Sequence, residues 1–330
     1  MLTPDVSVPA SFDAVVIGAG PVGLACAIEI QRRGLTVAVV DKGALVNSII
    51  GYPTNMEFFS TPELLEIGGH PFVTSNYKPH REEGLDYYQR VARAENLTLR
   101  LYERVTGLTG EPGTYRVLTD KAELGARYVV VATGFYDVPV MLNVPGEDLP
   151  HVSHYYKEPY QHAGQRVLVV GAKNSAAKAA LALTRAGAQA TLVVRGAEVS
   201  SSVKYWIRPD LLNRIAEGRI RAHFQTTVQA IRPGEVDLLT PEGPLTVGAD
   251  YVYALTGYHP DYRLLTALGI STQPDAACTP SYHPDTFETN RPGVYLAGTV
   301  CGGLNTSRWF IENGRHHARV IAEHLAPAQT

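Results

Sequence analysis

Two glycine-rich turns carry most of the chemistry this chain can do, and the residue closing the strand after each differs in sign. The first is Gly18-Ala19-Gly20-Pro21-Val22-Gly23, followed by Asp41; the second is Gly171-Ala172-Lys173-Asn174-Ser175-Ala176, followed by Arg195. A turn of this kind between a strand and a helix brings backbone N–H groups up to a pyrophosphate. An acid at the end of the next strand hydrogen-bonds an adenosine ribose, whereas a base there can hold a 2′-phosphate. The pair reads as FAD first and NADPH second, in a flavoprotein reductase.

Elements must exist to position these residues. Ala14 to Ile17 is an apolar, β-branched run suited to a central parallel strand. Gly18 then permits the tight turn, Gly20 the close approach of a pyrophosphate, and Gly23 the packing of helix on strand. The helix starts near Pro21 and stops at Arg32-Arg33-Gly34, with basic residues in the last turn and glycine beyond it. Thr36 to Val40 is the next strand and delivers Asp41, roughly 20 residues past the glycines as a ribose contact requires. In the second motif, Arg166 to Val170 is the strand, Asn174 to Ala186 the helix, and Thr191 to Val194 the strand that presents Arg195. Lys173 replaces the second glycine, so its ammonium rather than bare backbone meets a phosphate. Ser200, Ser201, Ser202 and Lys204 lie close enough in sequence to add donors for a 2′-phosphate. The fork of Arg195 favours NADPH over NADH.

Two further segments end in small residues, as ligand-facing strand ends of open α/β sheets do. Tyr128 to Ala132 runs into Thr133-Gly134, and Gly293 to Ala297 runs into Gly298-Thr299. The latter leads to a helical stretch expected from about Ser307 to Leu325, whose N-terminus would face the flavin. Because this last segment belongs with FAD, the first domain is discontinuous. It is expected at 1–150 plus 263–330, with the NADPH domain inserted at 151–262. Pro145-Gly146-Glu147-Asp148 and Gly257-Tyr258-His259-Pro260-Asp261 serve as the crossings.

Composition narrows the class. The 330 residues carry a net charge of −3, with 18% charged and 45% hydrophobic residues, which fits a soluble globular protein, and the length suggests two domains. Neither nucleic acid nor an anionic membrane is an expected partner. Met1 to Phe12 shows no secretory signal, and no run is long and apolar enough to span a bilayer. The three cysteines, Cys26, Cys278 and Cys301, make no disulfide framework, so a reducing cytoplasm is expected. The histidines form no zinc pattern, and no metal is expected.

At finer grain the chain resembles the bacillithiol disulfide reductases, also called bacilliredoxin reductases, nearly end to end. The likeness rests on Val46-Asn47-Ser48-Ile49, Tyr52-Pro53-Thr54, Phe58-Phe59-Ser60, Leu65-Glu66-Ile67-Gly68, Val144 to Pro150, Gly171 to Ser175, Gly257 to Asp261 and Phe310 to Arg315. It implies a thioredoxin-reductase-like fold of two Rossmann-like domains, FAD and NADPH as cofactors, and bacillithiol disulfide as electron acceptor. A homodimer or larger homo-oligomer is implied too. The expected cofactor contacts are Gly18, Gly20, Pro21, Gly23, Asp41, Lys42, Asn47, Ser48, Tyr52, Ala132, Thr133, Gly134, Gly298, Thr299 and Ser307, with Gly171, Lys173, Asn174, Ser175, Arg195 and Lys204 in the second domain.

The chain departs from the family pattern at two places. Thr299 stands where related flavoproteins carry an aspartate, and Val22 stands where the family has a cysteine beside the flavin. Valine cannot attack a disulfide. Cys301, in the loop after Gly298-Thr299-Val300, is the candidate replacement nucleophile; its bland alternative is a small residue filling a tight loop. Cys26, one turn below Val22 on the same helix, reads as buried. A reductase of ferredoxin or flavodoxin needs no thiol and is the alternative function. A flavin monooxygenase and a non-catalytic sensor of the NADPH and FAD pools rank below it.

Overall fold

The computed structural model describes residues 10–326; Met1 to Pro9, within the stretch read for a leader, lie outside them. The chain divides into two compact units. Among the described residues, one comprises 10–50, 56–138 and 258–326, the other 51–55 and 139–257.

The first unit opens with β1 (Ser11–Ile17), α1 (Pro21–Arg32) and β2 (Val37–Val40). Residues 14–17 and 37–40 are all buried, as the continuous apolar runs of a sheet covered on both faces require. Two short helices follow, α2 (Asn47–Ile50) and α3 (Pro62–Leu65), then α4 (Arg81–Ala94) and β3 (Thr98–Arg100). A meander of β4 (Val105–Thr109), β5 (Tyr115–Thr119) and β6 (Glu123–Val131) completes this part. Strand order is β3-β2-β1-β6-β5-β4, parallel around β1 and antiparallel in the meander.

The chain leaves the first unit at β7 (Val138–Pro139), and β8 (Val152–Ser153) follows. The second unit repeats the plan with β9 (Arg166–Val170), α5 (Asn174–Arg185), β10 (Gln189–Val193), α6 (Arg208–Ala216) and β11 (Arg221–His223). An antiparallel meander, β12 (Thr227–Arg232), β13 (Glu235–Thr240) and β14 (Gly243–Gly248), precedes β15 (Tyr251–Ala254). The parallel sheet has order β11-β10-β9-β15-β8. Alanines of α5 at 176, 177, 179 and 180 are buried against this sheet, and their small side chains let helix and strands pack closely.

The return is at β16 (Tyr258–His259), after which α7 (Tyr262–Ala267) and β17 (Val294–Leu296) rejoin the first unit. β17 pairs in parallel with residues 129–131 of β6, while the other end of β6 pairs with β5. The last helices are α8 (Ile311–Gly314) and α9 (His317–Leu325), and α9 packs on α1. Apart from the short 51–55 excursion, the crossings fall at 138/139 and 257/258. Pro145 to Asp148, read as a crossing from its turn formers, lies inside the second unit. There Glu147 accepts the backbone N–H groups of Leu142 and Asn143 and closes a local turn.

Candidate functional site

The first glycine turn is shaped by contacts that exclude a side chain at two of its three positions. Gly18 has φ +111°, and a Cβ there would stand 2.5 Å from the Ala132 carbonyl oxygen. A Cβ on Gly23 would stand 1.9 Å from the Gly18 oxygen. Gly20 is different, because a Cβ there would meet no protein atom within 4 Å. The protein does not need that glycine for its own packing; the open space lets a ligand's pyrophosphate come up to the backbone of the turn. The N-terminus of α1 has Pro21 in its first turn, no side-chain cap and no acid, which leaves it receptive to an anion.

Asp41 is tied into the turn. Its Oδ2 accepts the Ala19 N–H at 2.7 Å and its Oδ1 accepts the Gly43 N–H at 2.8 Å. Burial pushes its carboxyl above the ordinary value, the two N–H bonds oppose that rise, and the nearby Asp137 adds to it. Lys42 pairs with Asp137 at 2.7 Å. The Asn47 side chain packs on Gly43, where a Cβ would lie 2.6 Å from its Cγ, and Ser48 follows it on α2. Tyr52 falls in the 51–55 segment that groups with the second unit. Sequence reasoning missed Gly43 and Asp137, because neither belongs to a motif.

Two strand ends converge beside this turn. Ala132 N–H donates to Ile17 O, and Ala297 N–H donates to Val131 O. Thr133 Cα would lie 3.2 Å from a Gly18 Cβ, and Thr299 Oγ1 would lie 3.4 Å from a Cβ on Gly134, whose φ is +72°. Val22 packs against the second of them. A Cβ on Gly298 would meet three of its side-chain carbons at 3.1 Å, and a Cβ on Gly314 would meet its Cγ2 at 3.5 Å. The valine is 8% exposed, held by glycines on two sides.

One expectation at this end of the unit is corrected. The helix starts at Ile311 rather than near Ser307 and breaks again at residues 315–316. Asn313 Oδ1 accepts the Phe310 N–H at 2.7 Å and fixes that start. Ser307 is exposed in the preceding loop, bonded to Asn305, and does not lie on the helix. Cys301, the candidate nucleophile, is fully buried, and burial pushes its thiol well above the ordinary range. A thiol held neutral and away from solvent is a poor nucleophile. Cys26 is likewise buried and raised, and Cys278 is exposed. The Cys301 Sγ lies 4.0 Å from His317 Nδ1, which accepts the Gly298 N–H at 3.1 Å. Stacked on Phe287 at 3.9 Å and met edgewise by Trp309, His317 is held neutral, its pKa pushed down to about 4 by burial.

In the second turn Gly171 has φ +148°, and a Cβ there would stand 2.5 Å from the Leu255 oxygen. The third position holds Ala176, whose methyl is accommodated in the core. Lys173 and Ser175 are exposed at the start of α5, and Arg195 is exposed just past β10. Neither Lys173 nor Arg195 forms an ion pair among the described residues, so two cations stand open to an anionic ligand. Asn174 instead uses its amide within the protein, accepting the Lys204 N–H at 2.9 Å and donating to Ser202 O at 3.2 Å. The loop so held places Ser200 and Ser202 side by side, their hydroxyls 2.8 Å apart.

Two Rossmann-like units, one with a half-buried acid and one with an exposed base behind its glycine turn, define an oxidoreductase with two dinucleotide sites. Residues 15–298 match the pyridine nucleotide-disulphide oxidoreductase family. The chain is 41% identical over 315 residues to bacilliredoxin reductase Bdr of Bacillus subtilis, covering 95% of this chain and 97% of that protein. The solved bacillithiol disulfide reductase Bdr (YpdA) from Bacillus cereus superposes with a TM-score of 0.93 at 39% identity, over 97% of this chain and all of the other. Thioredoxin reductase of T. acidophilum, at 19% identity, shares the fold with a TM-score of 0.75 over 96% of this chain and 98% of its own. The chain belongs to the pyridine nucleotide-disulphide oxidoreductase family and, within it, to the bacillithiol disulfide reductases.

Membership implies FAD and NADPH as cofactors. The residues present fit both. The open space at Gly20, the uncapped α1 and Asp41 suit a dinucleotide in the first unit, and the exposed Lys173 and Arg195 suit a phosphorylated one in the second. No helix among the described residues is long and apolar enough to cross a membrane.

Proposed function

We propose that this protein is an NADPH-dependent FAD oxidoreductase whose first acceptor is a low-molecular-weight disulfide, bacillithiol disulfide by kinship. The observation that carries the reading is the near end-to-end likeness to bacilliredoxin reductase together with two nucleotide turns that each keep their steric logic. The balanced reaction is NADPH plus a proton plus the disulfide, giving NADP⁺ and two thiols. FAD, when bound, supplies acceptance of the hydride and delivery of its two electrons. In the first unit Gly18, Gly20 and the α1 N-terminus receive the pyrophosphate of FAD, and Asp41 receives its ribose. In the second, Gly171 and Lys173 take the pyrophosphate of NADPH. Arg195 takes the 2′-phosphate as a charge-assisted pair, which favours NADPH over NADH. Val22 keeps water from the turn and contributes no thiol. Three reduced cysteines suit a cytoplasmic setting.

A second reading has one observation in its favour. With Val22 at the turn and Cys26 and Cys301 both buried, no accessible protein thiol stands at the first glycine site. Electrons passed to a ferredoxin or flavodoxin require none. Anaerobic steady-state assays separate the two. Bacillithiol disulfide should accelerate NADPH consumption with two thiols released per NADPH. Acceleration by a flavodoxin and not by the disulfide would overturn the first reading in favour of the second.

A further inference from the structure

The sequence places Asn174 among the cofactor contacts, but its amide is engaged elsewhere. Its Oδ1 accepts the Lys204 N–H at 2.9 Å, and its Nδ2 donates to the Ser202 carbonyl at 3.2 Å. A third bond joins the same two segments, from Ser200 N–H to Ala172 O at 3.0 Å. The loop is anchored from below by Val199, Val203 and Ile207, all buried in the core that also contains Ala176. Residues 200–204 are therefore fastened to the glycine turn at Ala172 and Asn174, while Arg195 stands exposed at the end of the neighbouring strand. The hydroxyls of Ser200 and Ser202 lie on this fastened loop.

We infer that Asn174 is a positioning residue for nucleotide selectivity. It fixes the span between the turn that receives the pyrophosphate and the loop that, with Arg195, receives the 2′-phosphate. The inference rests on the proposed placement of NADPH in the second unit. A ligand held at two points gains from a preset distance between them, because the loop then loses no freedom on binding. A nucleotide without a 2′-phosphate touches only the first point and gains nothing from the tether. Both polar atoms of the Asn174 amide are committed to this loop, and alanine removes both bonds at once without disturbing a buried core.

The test is calorimetric titration of the oxidised holoprotein with NADP⁺ and with NAD⁺, for the wild type and Asn174→Ala, alongside hydrogen exchange of the 200–204 segment. Loss of two hydrogen bonds should weaken NADP⁺ about ten-fold and leave NAD⁺ within about two-fold. Exchange at the Lys204 amide should rise. Equal weakening of both nucleotides would overturn the inference, since Asn174 would then act at the pyrophosphate or on the fold as a whole. Unchanged exchange at Lys204 would overturn it as well, because no tether would have been released. A wild type that binds NAD⁺ as tightly as NADP⁺ would remove the NADPH reading itself, whereas a selective wild type with an equally selective Asn174→Ala variant would remove the role of Asn174 alone.

Discussion

At the third position of the glycine turn the first unit has Gly23 and the second has Ala176, and a methyl that the second accommodates would collide with the Gly18 oxygen in the first. The second position contrasts in the same sense, Gly20 facing open space and Lys173 offering a cation. Behind the turn, Asp41 is drawn in and binds two backbone N–H groups, while Arg195 stays exposed. One βαβ plan thus yields two kinds of site. The first is built into the packing around it, which suits a resident cofactor. The second keeps its charges at the surface, which suits a nucleotide that arrives, reacts and leaves.

The contrast breaks most readily at Gly23. Gly23→Val places a branched side chain against the Gly18 carbonyl, and the turn must move, at a cost of about 3 kcal/mol or more. The variant should emerge from gel filtration without flavin colour and melt at lower temperature, while Ala176→Val retains its flavin. Full FAD content in Gly23→Val would show that the close packing is not what forms the site.

Acid should distinguish the units next. His317 of the first unit titrates near 4 when folded, below its ordinary 6.5. A depressed folded value means stability is fully present above about pH 6.5 and lost as pH falls toward about 4, by as much as ~3 kcal/mol. In denaturant titrations across that range, His317→Gln should flatten the dependence, since glutamine can still accept the Gly298 N–H. An unchanged slope would place the acid sensitivity elsewhere.

Arg195→Ala should weaken NADP⁺ by roughly ten- to a hundred-fold and spare NAD⁺, the loss expected for a charge-assisted pair. Equal loss of both would move Arg195 away from the 2′-phosphate. The smallest effect is expected at the buried thiols. Native protein treated with a thiol reagent should react at Cys278 and spare Cys26 and Cys301, and Cys301→Ala should change turnover by less than about two-fold. Abolished turnover in that variant would restore Cys301 as a nucleophile.

Much of this was legible in the chain because local sterics force it. The strand leading into each turn ends in a continuous apolar run, Ala14 to Ile17 and Val167 to Val170, and Gly18 and Gly171 stand where φ is positive and another backbone passes close by. α1 begins at Pro21 and β9 spans Arg166–Val170, as their residues predict. What escaped depends on partners distant in sequence. The late start of α8 is set by the Asn313 side chain reaching back to Phe310, and the commitment of Asn174 to its loop appears only when residues 202–204 return beside it. The burial of Cys301 is tertiary too. Its loop is Gly-rich and short, and nothing local reveals that Phe287, Trp309 and His317 close over that region.

The most direct measurement is anaerobic double-mixing stopped flow on the holoprotein, reducing the flavin with one equivalent of NADPH and then adding bacillithiol disulfide. The account predicts rapid bleaching of the flavin absorbance, then its prompt return with two thiols released per flavin. Flavin that bleaches and stays reduced in the presence of the disulfide would contradict it.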